Sequence, residues 1–521
     1  MGKSTSPSRP SSAGHLFVVH GRIEGVLHDV AIVPTASDFH VRGYWKPILG
    51  EDTKRWRPPE WPGRGYAKAG GRDDVWFVNV GGRHGAGAQI LIERVVAALR
   101  EIATTGLTPS RNRVKPLVAV PVLGIAGGGL GRERGDVVRR LLTALADAAS
   151  ELDLDVAIVT PDASVYGAAQ HLRRQTPKWP LPANQVESAQ QIGSAARRGD
   201  LALFMGAGVS IPAGLPTWNQ LLTQLADGHS IDVGGGFGSL NALDQAQYLH
   251  SKVPQLGDAV ARIVSKAQVP ALGHGLLAAL RCPEAVTTNY DRLYEGAIEM
   301  QRGEGNVATV MPWEHPSAGK PWVLKMHGDV QRPKTIVLTR QQFVRYDAET
   351  RPAGALLQTL LMTRHVLFVG ASLNDDNVVR LAYEVDRFRQ TNGLEGVVGT
   401  LLDVDNDPVR QELWSGQLAW LNMSGSTIAE RSRTLEIFLD AVAAHASDDS
   451  SWLLDERFKG LLDLDEALVR EARSLYQRAA NAGPEWKGLT DALLGLGAAS
   501  GEYNREREDR RWSGWFPGRH S

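Results

Sequence analysis

Residues Leu201 to Trp218 read LALFMGAGVSIPAGLPTW, and this stretch decides the fold of the chain around it. Its apolar residues 201–205 are too few for a helix and suit a buried strand of a parallel sheet. Gly206-Ala207-Gly208 follows at once, where missing side chains let the backbone approach a ligand. Thr217 is a predicted N-cap before an amphipathic pattern that starts at Trp218. A strand, a glycine turn and a helix start favour a bound phosphate, and an ordinary glycine turn is the alternative.

Composition limits the classes of function that this chain can have. It has 521 residues, 43% of them hydrophobic and 22% charged, and a formal net charge of −1. The length predicts two or three domains. The charge predicts no attraction to nucleic acid or to an anionic membrane. No apolar run approaches the roughly 18 residues that span a bilayer, and the N-terminus lacks an apolar signal core, so we expect a cytoplasmic protein.

Cysteine usage excludes one kind of metal site. Cys282 is the single cysteine of the chain. One cysteine forms no intramolecular disulfide and no multi-cysteine zinc site. We therefore expect a protein of a reducing compartment that needs no metal.

The order of patterns predicts an α/β protein, because strand and helix patterns alternate and imply parallel or mixed sheets flanked by helices. The predicted parts are, in order, a disordered start (1–14), an α/β domain (15–175), a linker (176–187), a Rossmann-type α/β domain (188–446) and a helical C-terminal segment (447–521). A glycine-rich and helical stretch at 228–278 predicts a small helical insertion in the second domain.

The first domain resembles the C-terminal half of a macro domain. The resemblance rests on LVAVPVLGIAGGGLG at 117–131, a helical pattern, and DVAIVTPD at 155–162. Macro domains bind ADP-ribose and related nucleotides, which implies such a ligand near Gly127–Gly131. Where that family has Asn-Ala-Ala-Asn, this chain has Pro34-Thr35-Ala36-Ser37, which leaves ribose recognition open. A nucleotide-sensing SLOG-type domain would look similar, and a structural or oligomerising role is the alternative.

Three further apolar segments of the second domain end in polar residues. Residues 285–287 lead into TNYD, 322–326 into HGD, and 366–369 into GASLNDDN. In an open parallel sheet, the carboxyl ends of the strands form the ligand crevice. We therefore expect these polar residues and the Gly206 turn at one edge of one sheet, with a fifth strand at 401–405.

Five motifs in this order, GAGVSIPAGLP, TTNYD, KMHGD, IVLTRQQFVRY and VLFVGASLNDDN, resemble the bacterial sirtuin-like (silent-information-regulator) family over about residues 195–425. The resemblance implies that NAD binds between a Rossmann-type sheet and a smaller module. It implies cofactor-binding residues at Gly206, Ala207, Gly208, Ser210, Trp218, Gly370, Ser372 and Asn377. It implies catalytic residues at Asn289, His327 and Asp291. Asn219 stands where related deacetylases have Arg, so substrate handling differs.

The implied chemistry is cleavage of the bond between nicotinamide and ribose. That reaction passes through an oxocarbenium-like state, which needs orientation and a nucleophile on the opposite face. Asn289 can position a water or the ribose through its amide. His327 can take a proton from the water or from a ribose hydroxyl. Asp291 can orient a neighbour or stabilise positive charge.

The cysteine count then favours water as the acceptor. Deacetylases of this family carry a zinc held by four cysteines, which this chain cannot supply. Sirtuin-like proteins without that zinc-binding module resemble antiphage effectors that hydrolyse NAD. We predict an NAD glycohydrolase that is gated by its N-terminal domain, through a nucleotide ligand, a partner protein or homo-oligomer formation. The alternatives are an NAD-dependent deacylase, an ADP-ribosyltransferase, and a non-catalytic sensor of NAD or ADP-ribose.

Overall fold

The computed structural model describes residues 13–81, 87–126, 128–176, 178–231, 234–303, 305–462 and 466–499. The chain divides into two compact units, one of residues 1–181 with 447–521 and the other of residues 182–446. The boundary near residue 181 falls within the predicted linker. Three predictions lie wholly or partly outside the described residues: disorder at 1–14, the ligand position at Gly127, and the end of the C-terminal segment.

The first unit is built on a six-stranded sheet in the order β1-β6-β5-β2-β4-β3. Its strands are β1 (Leu16–His20), β2 (Val30–Thr35), β3 (Tyr66–Lys68), β4 (Val75–Asn79), β5 (Leu117–Pro121) and β6 (Asp155–Thr160). All pairs are parallel except β3 with β4, which is antiparallel. A parallel sheet is covered by helices on its faces, here α2 (Ala88–Thr104), α3 (Arg134–Leu152) and α4 (Ala163–Gln175), while α1 (Lys46–Leu49) is a single turn between β2 and β3.

The second unit is built on a seven-stranded parallel sheet in the order β13-β12-β11-β7-β8-β10-β9. The strands are β7 (Leu201–Met205), β8 (Glu284–Thr287), β9 (Thr309–Met311), β10 (Trp322–Lys325), β11 (His365–Val369), β12 (Gly399–Asp403) and β13 (Leu418–Asn422). The prediction of a Rossmann-type parallel sheet is confirmed. All five predicted strands of this domain lie in it, and of the strands in the described residues, the two at its edges, β9 and β13, were not predicted.

The helices of the second unit connect these strands in the chain, except that α5 precedes the first strand and α15 follows the last. They are α5 (Ala183–Arg198), α6 (Trp218–Gly228), α7 (Gly234–Phe237), α8 (Ala242–Lys252), α9 (Leu256–Val264), α10 (Leu272–Ala278), α11 (Leu293–Arg302), α12 (Arg340–Thr363), α13 (Asp376–Thr391), α14 (Pro408–Leu413) and α15 (Ile428–Ala446). The helical insertion predicted at 228–278 is confirmed. Thr217 caps α6 in a capping box with Gln220, which confirms the predicted N-cap.

Two apolar clusters hold the second unit together. One lies under the sheet and includes Phe204 and Phe368, whose ring centroids are 5.2 Å apart. The other joins α6, α8 and α9 through residues such as Leu225, Leu249 and Val260. The second cluster makes the helical insertion a small module with a core of its own.

The C-terminal segment is helical, as predicted, and belongs to the first unit. It contains α16 (Glu466–Ala480) and α17 (Lys487–Gly495), which share an apolar cluster around Leu454 and Leu493. Within the described part of the chain, no helix is both long enough and apolar enough to cross a bilayer.

Candidate active site

Four neighbouring strands of the second unit, β11, β7, β8 and β10, end at the same edge of the sheet. Their last residues pair in register: Val369 with Met205, Met205 with Thr287, and Thr287 with Lys325. The chain winds away from β7 in one direction to β8 and in the other to β11, and such a reversal is where open α/β sheets bind ligands. The predicted meeting of these strand ends at one edge is confirmed.

The glycine turn after β7 packs directly against the backbone at the end of β11. A Cβ on Gly206 would lie 2.4 Å from the Gly370 carbonyl oxygen, and one on Gly208 would lie 2.8 Å from Gly370 Cα. The Gly208 N–H donates to that carbonyl at 2.9 Å. Gly370 has a φ of 63°, in the left-handed region that favours glycine. Contact between two strand ends therefore requires all three glycines.

Asn289 is fixed beside this turn through its amide. Its Nδ2 donates to the Gly206 carbonyl at 3.0 Å and to Ser210 Oγ at 3.1 Å. Its backbone N–H donates to Thr287 Oγ1 at 3.0 Å, at the end of β8. Both hydrogens of the amide are used, so its orientation is set and Oδ1 is the end that remains to accept a hydrogen bond.

The Ser210 hydroxyl joins Asn289 to two more buried side chains. It donates to Asp291 Oδ2 at 2.9 Å and lies 3.3 Å from His274 Nε2. A hydroxyl offers one donor and two acceptor positions, and Asn289, Asp291 and His274 use all three. Ser210 thus lies inside a protein hydrogen-bond network, and its contact with a dinucleotide stays a prediction.

His327 follows β10 and is buried, with 3% of its surface exposed. Its Nε2 lies 3.0 Å from Asp375 Oδ2, a close contact that does not meet the geometry of a hydrogen bond. The ring packs edge-on against Phe343 and Tyr346, with centroids 5.1 and 5.6 Å away. The imidazole is therefore held by two aromatic rings from α12 and faces a carboxylate.

Asp375 combines two roles at the start of α13. Its Oδ1 accepts the Asn377 N–H at 3.0 Å and caps the helix. Burial alone would raise the pKa of Asp375, but His327 and the backbone N–H groups of Asn377 and Val378 outweigh burial and lower that pKa. The Asp375 carboxylate is thus ionised where it faces the His327 ring.

Besides His327 Nε2, three residues of the predicted site carry a buried polar atom that has no hydrogen-bond partner among the described residues. The atoms are Asn289 Oδ1, Asn377 Nδ2 and Trp218 Nε1. Buried polar groups are nearly always satisfied in native proteins, so each such atom needs an explanation. Asn289 supplies an acceptor and Asn377 a donor at the sheet edge, and Trp218 supplies a donor from the helical module. This set fits a polar ligand such as a dinucleotide.

The remaining predicted residues lie at the same edge but are more exposed. Ala207 and Gly208 in the turn and Ser372 after β11 are exposed. Trp218 starts α6, and its ring centroid is 6.4 Å from that of Phe343, which also contacts His327. Phe343 thus connects the helical module with the His327 side of the edge.

A buried charge cluster lies behind the two loops that carry Asn289 and His327. Lys325 Nζ lies 3.1 Å from Glu295 Oε1 and donates to the backbone carbonyl of Asp291. Arg292 Nε donates to both oxygens of Asp329, at 2.8 and 3.0 Å. Burial raises the pKa of Glu295, while Lys325 opposes that rise. These pairs connect the loop that carries Asn289 with the loop that carries His327.

The sequence analysis missed Asp375, His274 and Phe343 as parts of this site. Asp375 had a signal, because it lies in the polar run after a strand that ends at the crevice. Phe343 lies in the quoted IVLTRQQFVRY motif, but an aromatic residue on a helix is usually core. His274 stands alone among apolar residues of α10, a pattern that by itself indicates only a satisfied buried side chain.

Cys282 has no part in this network. It is buried and free, and burial raises the pKa of its thiol. Over the described ranges, no three His, Cys, Asp or Glu side chains are grouped so that they could hold a metal ion.

The first unit has a pocket at the carboxyl edge of its own sheet. Its lining includes residues after β1, β5 and β6, together with Tyr44 and Trp45: Gly21, Arg22, Ile23, Glu24, Pro34, Pro121, Val122, Ile125, Ala126, Val159, Thr160, Pro161 and Asp162. Ile125 and Ala126 directly precede the predicted Gly127–Gly131 segment, and Gly127 itself lies outside the described residues. The resemblance of residues 15–175 to a macro domain stays a prediction.

Comparison with known proteins agrees with the second unit's geometry. The family described as SIR2-like domain matches residues 283–415. The chain is 31% identical over 198 residues to the NAD(+) hydrolase ThsA of Acinetobacter baumannii (strain 532279), an alignment that covers 36% of this chain and 39% of that protein. It is 32% identical over 200 residues to the NAD(+) hydrolase ThsA of Bacillus cereus (strain MSX-D12), covering 36% and 41%.

A third relative is named for defence. The chain is 23% identical over 290 residues to Defense-associated sirtuin 2 of Bacillus subtilis, which covers 54% of this chain and 27% of that protein. These alignments span only 39% and 41% of the two hydrolases' own length. The glycine turn at Gly206 lies ahead of the matched segment, whereas Asn289, His327 and Gly370 lie within it. The chain contains a SIR2-like domain and is homologous to NAD(+) hydrolases named ThsA and to a defence-associated sirtuin.

Proposed function

We propose that this chain hydrolyses NAD to nicotinamide and ADP-ribose, as an effector of antiphage defence in the cytoplasm. The observation that carries the proposal is the arrangement of Asn289. Its amide hydrogens are bonded to the Gly206 turn and to Ser210, and its Oδ1, which has no partner among the described residues, is an acceptor for a ribose hydroxyl or a water. The names of two relatives support the reaction, and the name of the third supports defence.

The reaction uses these side chains as follows. The bond between the ribose anomeric carbon and the nicotinamide nitrogen breaks, and nicotinamide leaves as a neutral molecule with the bonding electrons. A water that Asn289 orients attacks the anomeric carbon, and His327 accepts the proton that this water loses. The Asp375 carboxylate, 3.0 Å from His327, stabilises the imidazolium that forms. Asp291 supports Asn289 through Ser210.

The glycines and the helical module bind the substrate in this proposal. Gly206, Ala207 and Gly208 lie under the pyrophosphate, and Gly370, Ser372 and Asn377 hold the adenosine side. Trp218 covers the dinucleotide from the module. Asn377 Nδ2 and Trp218 Nε1, which have no partner in the described part of the chain, are donors available for the dinucleotide. The proposed reaction involves no metal.

Product analysis tests the activity. The full chain is incubated with NAD, and nicotinamide and ADP-ribose are quantified by chromatography. Asn289→Ala and His327→Ala should each lower kcat by at least about 100-fold. Asn306→Ala and His315→Ala, on exposed side chains, are the matched controls and should keep wild-type rates. Nicotinamide that appears only with an acylated peptide or an acceptor protein would indicate deacylation or ADP-ribosyl transfer, and NAD binding without turnover would indicate a sensor.

We further propose that a nucleotide or ADP-ribose-like ligand in the first unit gates this activity. Support comes from the pocket at the carboxyl edge of a parallel sheet, where such folds bind ligands, next to the predicted segment Gly127–Gly131. Calorimetric titration with ADP-ribose tests binding, and Trp45→Ala in the pocket lining should weaken it. If gating uses a homo-oligomer or a partner protein, light scattering with and without ADP-ribose should show a change of mass together with the change of rate.

A further inference from the structure

His274 is a buried histidine that the reaction described above does not use. It lies in the first turn of α10, with 1% of its surface exposed. Its two ring nitrogens face different partners. Nδ1 lies 3.2 Å from the backbone N of Ala271, and Nε2 lies 3.3 Å from Ser210 Oγ.

The partners of His274 determine its tautomer. The Ala271 N–H can only donate, so Nδ1 must accept and carries no proton. In the neutral ring the proton is then on Nε2, which donates to Ser210 Oγ. Burial lowers the pKa of His274 to about 4, the largest effect on that group, so the ring is neutral near pH 7.

The tautomer in turn determines the direction of the Ser210 hydroxyl. Because His274 donates to Ser210, the hydroxyl hydrogen must point elsewhere, and Asp291 Oδ2 at 2.9 Å accepts it. The remaining lone pair of Ser210 accepts from Asn289 Nδ2 at 3.1 Å. With the opposite tautomer, Nε2 would compete with Asp291 for the same hydrogen.

We infer that His274 is a positioning residue, which fixes the amide of Asn289 through Ser210 so that Asn289 presents its oxygen to the substrate. The inference rests on the proposed NAD hydrolysis. The backbone N–H of Ala271, at the start of α10, thereby determines the orientation of the Asn289 side-chain amide near the end of β8. His274 contacts no reacting atom in this scheme and acts on the rate only through the orientation of Asn289.

Two substitutions separate this role from a structural one. Asparagine at 274 places an acceptor near the position of Nδ1 and keeps the bond from Ala271, but it has no donor that reaches Ser210. Glutamine at 274 places a donor near the position of Nε2 and loses the acceptor for Ala271. The asparagine variant therefore removes the hydrogen bond to Ser210, and the glutamine variant removes the hydrogen bond from Ala271.

The experiment measures kcat and KM for NAD hydrolysis and the Tm of the full chain. His274→Asn should lower kcat by at least about tenfold, with a KM within about twofold of wild type and an unchanged Tm. His274→Gln should keep kcat within about threefold and lower the Tm. Ser210→Ala removes the hydroxyl that connects His274 with Asn289, and it should lower kcat as His274→Asn does. It provides the test if His274→Asn does not fold.

The possible failures are distinguishable. A wild-type chain that releases no nicotinamide overturns the proposed function, and this inference with it. An active wild type with a fully active His274→Asn or Ser210→Ala overturns the inference alone. Loss of kcat that follows loss of Tm in both His274 variants assigns His274 a structural role and also overturns the inference.

Discussion

His327 Nε2 and Asp375 Oδ2 lie 3.0 Å apart, although 48 positions separate the two residues in the chain. One follows β10 and the other precedes α13, and they meet because both segments leave the sheet at its carboxyl edge. In the proposed reaction, the Asp375 carboxylate stabilises the imidazolium that forms when His327 accepts a proton.

Asp375→Asn tests that contact without removing the helix cap. Asparagine keeps the oxygen that accepts the Asn377 N–H, and it is as good an N-cap as aspartate. We expect a loss of at least about tenfold in kcat for NAD hydrolysis, with an unchanged Tm. Asp375→Ala should lose both the rate and about 1 kcal/mol of stability, because the cap is lost as well. Wild-type kcat in Asp375→Asn would contradict a role for this charge.

Gly206→Ala tests the contact between the two strand ends. The new methyl group would lie 2.4 Å from the Gly370 carbonyl oxygen, a distance that requires the backbone to move. We expect a lower Tm and loss of NAD hydrolysis together. Gly228→Ala, at the end of α6, meets nothing within 4 Å and should be neutral or stabilising by up to about 1 kcal/mol. Differential scanning calorimetry compares the variants, and an unchanged Tm in Gly206→Ala would refute the packing argument.

Lys325→Met tests the buried charge cluster. Removal of the lysine leaves the nearly buried Glu295 without its cation, whereas the buried Asp329 keeps its contact with Arg292. Breaking a buried ion pair from one side costs about 3–5 kcal/mol, so we expect a large fall in the free energy of unfolding. Lys320→Met, on an exposed lysine, should change stability by less than about 0.5 kcal/mol.

A double substitution distinguishes loss of the pair from loss of packing. Lys325→Met combined with Glu295→Leu should be more stable than Lys325→Met alone, because an uncompensated charge no longer remains buried. Urea denaturation of the full chain measures both. A double variant that is as unstable as the sum of the single ones would contradict the coupling of these two side chains.

The pH dependence of stability follows from His274. Its pKa is about 4 in the folded chain and 6.5 without burial, so between these values the unfolded chain binds a proton that the folded chain does not. The stability of the wild type should therefore fall as the pH decreases from about 6.5 to about 4, by up to about 1.4 kcal/mol per pH unit for this group. Below about pH 4 both states are protonated, and the contribution of His274 levels off.

His274→Asn provides the comparison, because asparagine does not titrate in this range. The variant should show a flatter decrease in Tm between pH 6.5 and pH 4 than the wild type. Other buried histidines, such as His365, contribute equally to both proteins and cancel in the difference. Parallel Tm curves for the two proteins would show that the folded chain protonates His274 as readily as the unfolded chain does.

Much of the candidate site was visible in the sequence because its signals are local. An apolar run of five residues and a following glycine turn predict β7 and the Gly206 turn without any knowledge of distant contacts. The Thr217 cap depends on groups within three residues, and the structure confirms it. The polar residues after β8, β10 and β11 were predicted to share one edge because parallel strands of a sheet end together.

The partners of those residues were not predictable in the same way. Ser210 looked like a ligand contact in the sequence, and the structure surrounds its hydroxyl with Asn289, Asp291 and His274. His274 lies 64 positions from Ser210, within a helical insertion whose packing against the sheet no periodicity specifies. In the sequence, the glycines at 206, 208 and 370 indicated a phosphate-binding turn. The structure shows that they also let the backbones at the ends of two strands pack against each other.

The sequence by itself determined the parallel α/β architecture of the second unit, its helical insertion and the strand ends that carry polar residues. Hydrophobic periodicity, glycines and caps act over a few residues, and the chain displays them directly. Only the tertiary structure decided that Asp375 faces His327, that His274 bonds to Ser210, and that Asn289 Oδ1 has no hydrogen-bond partner within the described ranges. Those relationships join residues from separate loops, and they arise only when the strand order and the packing of the helices place those loops side by side.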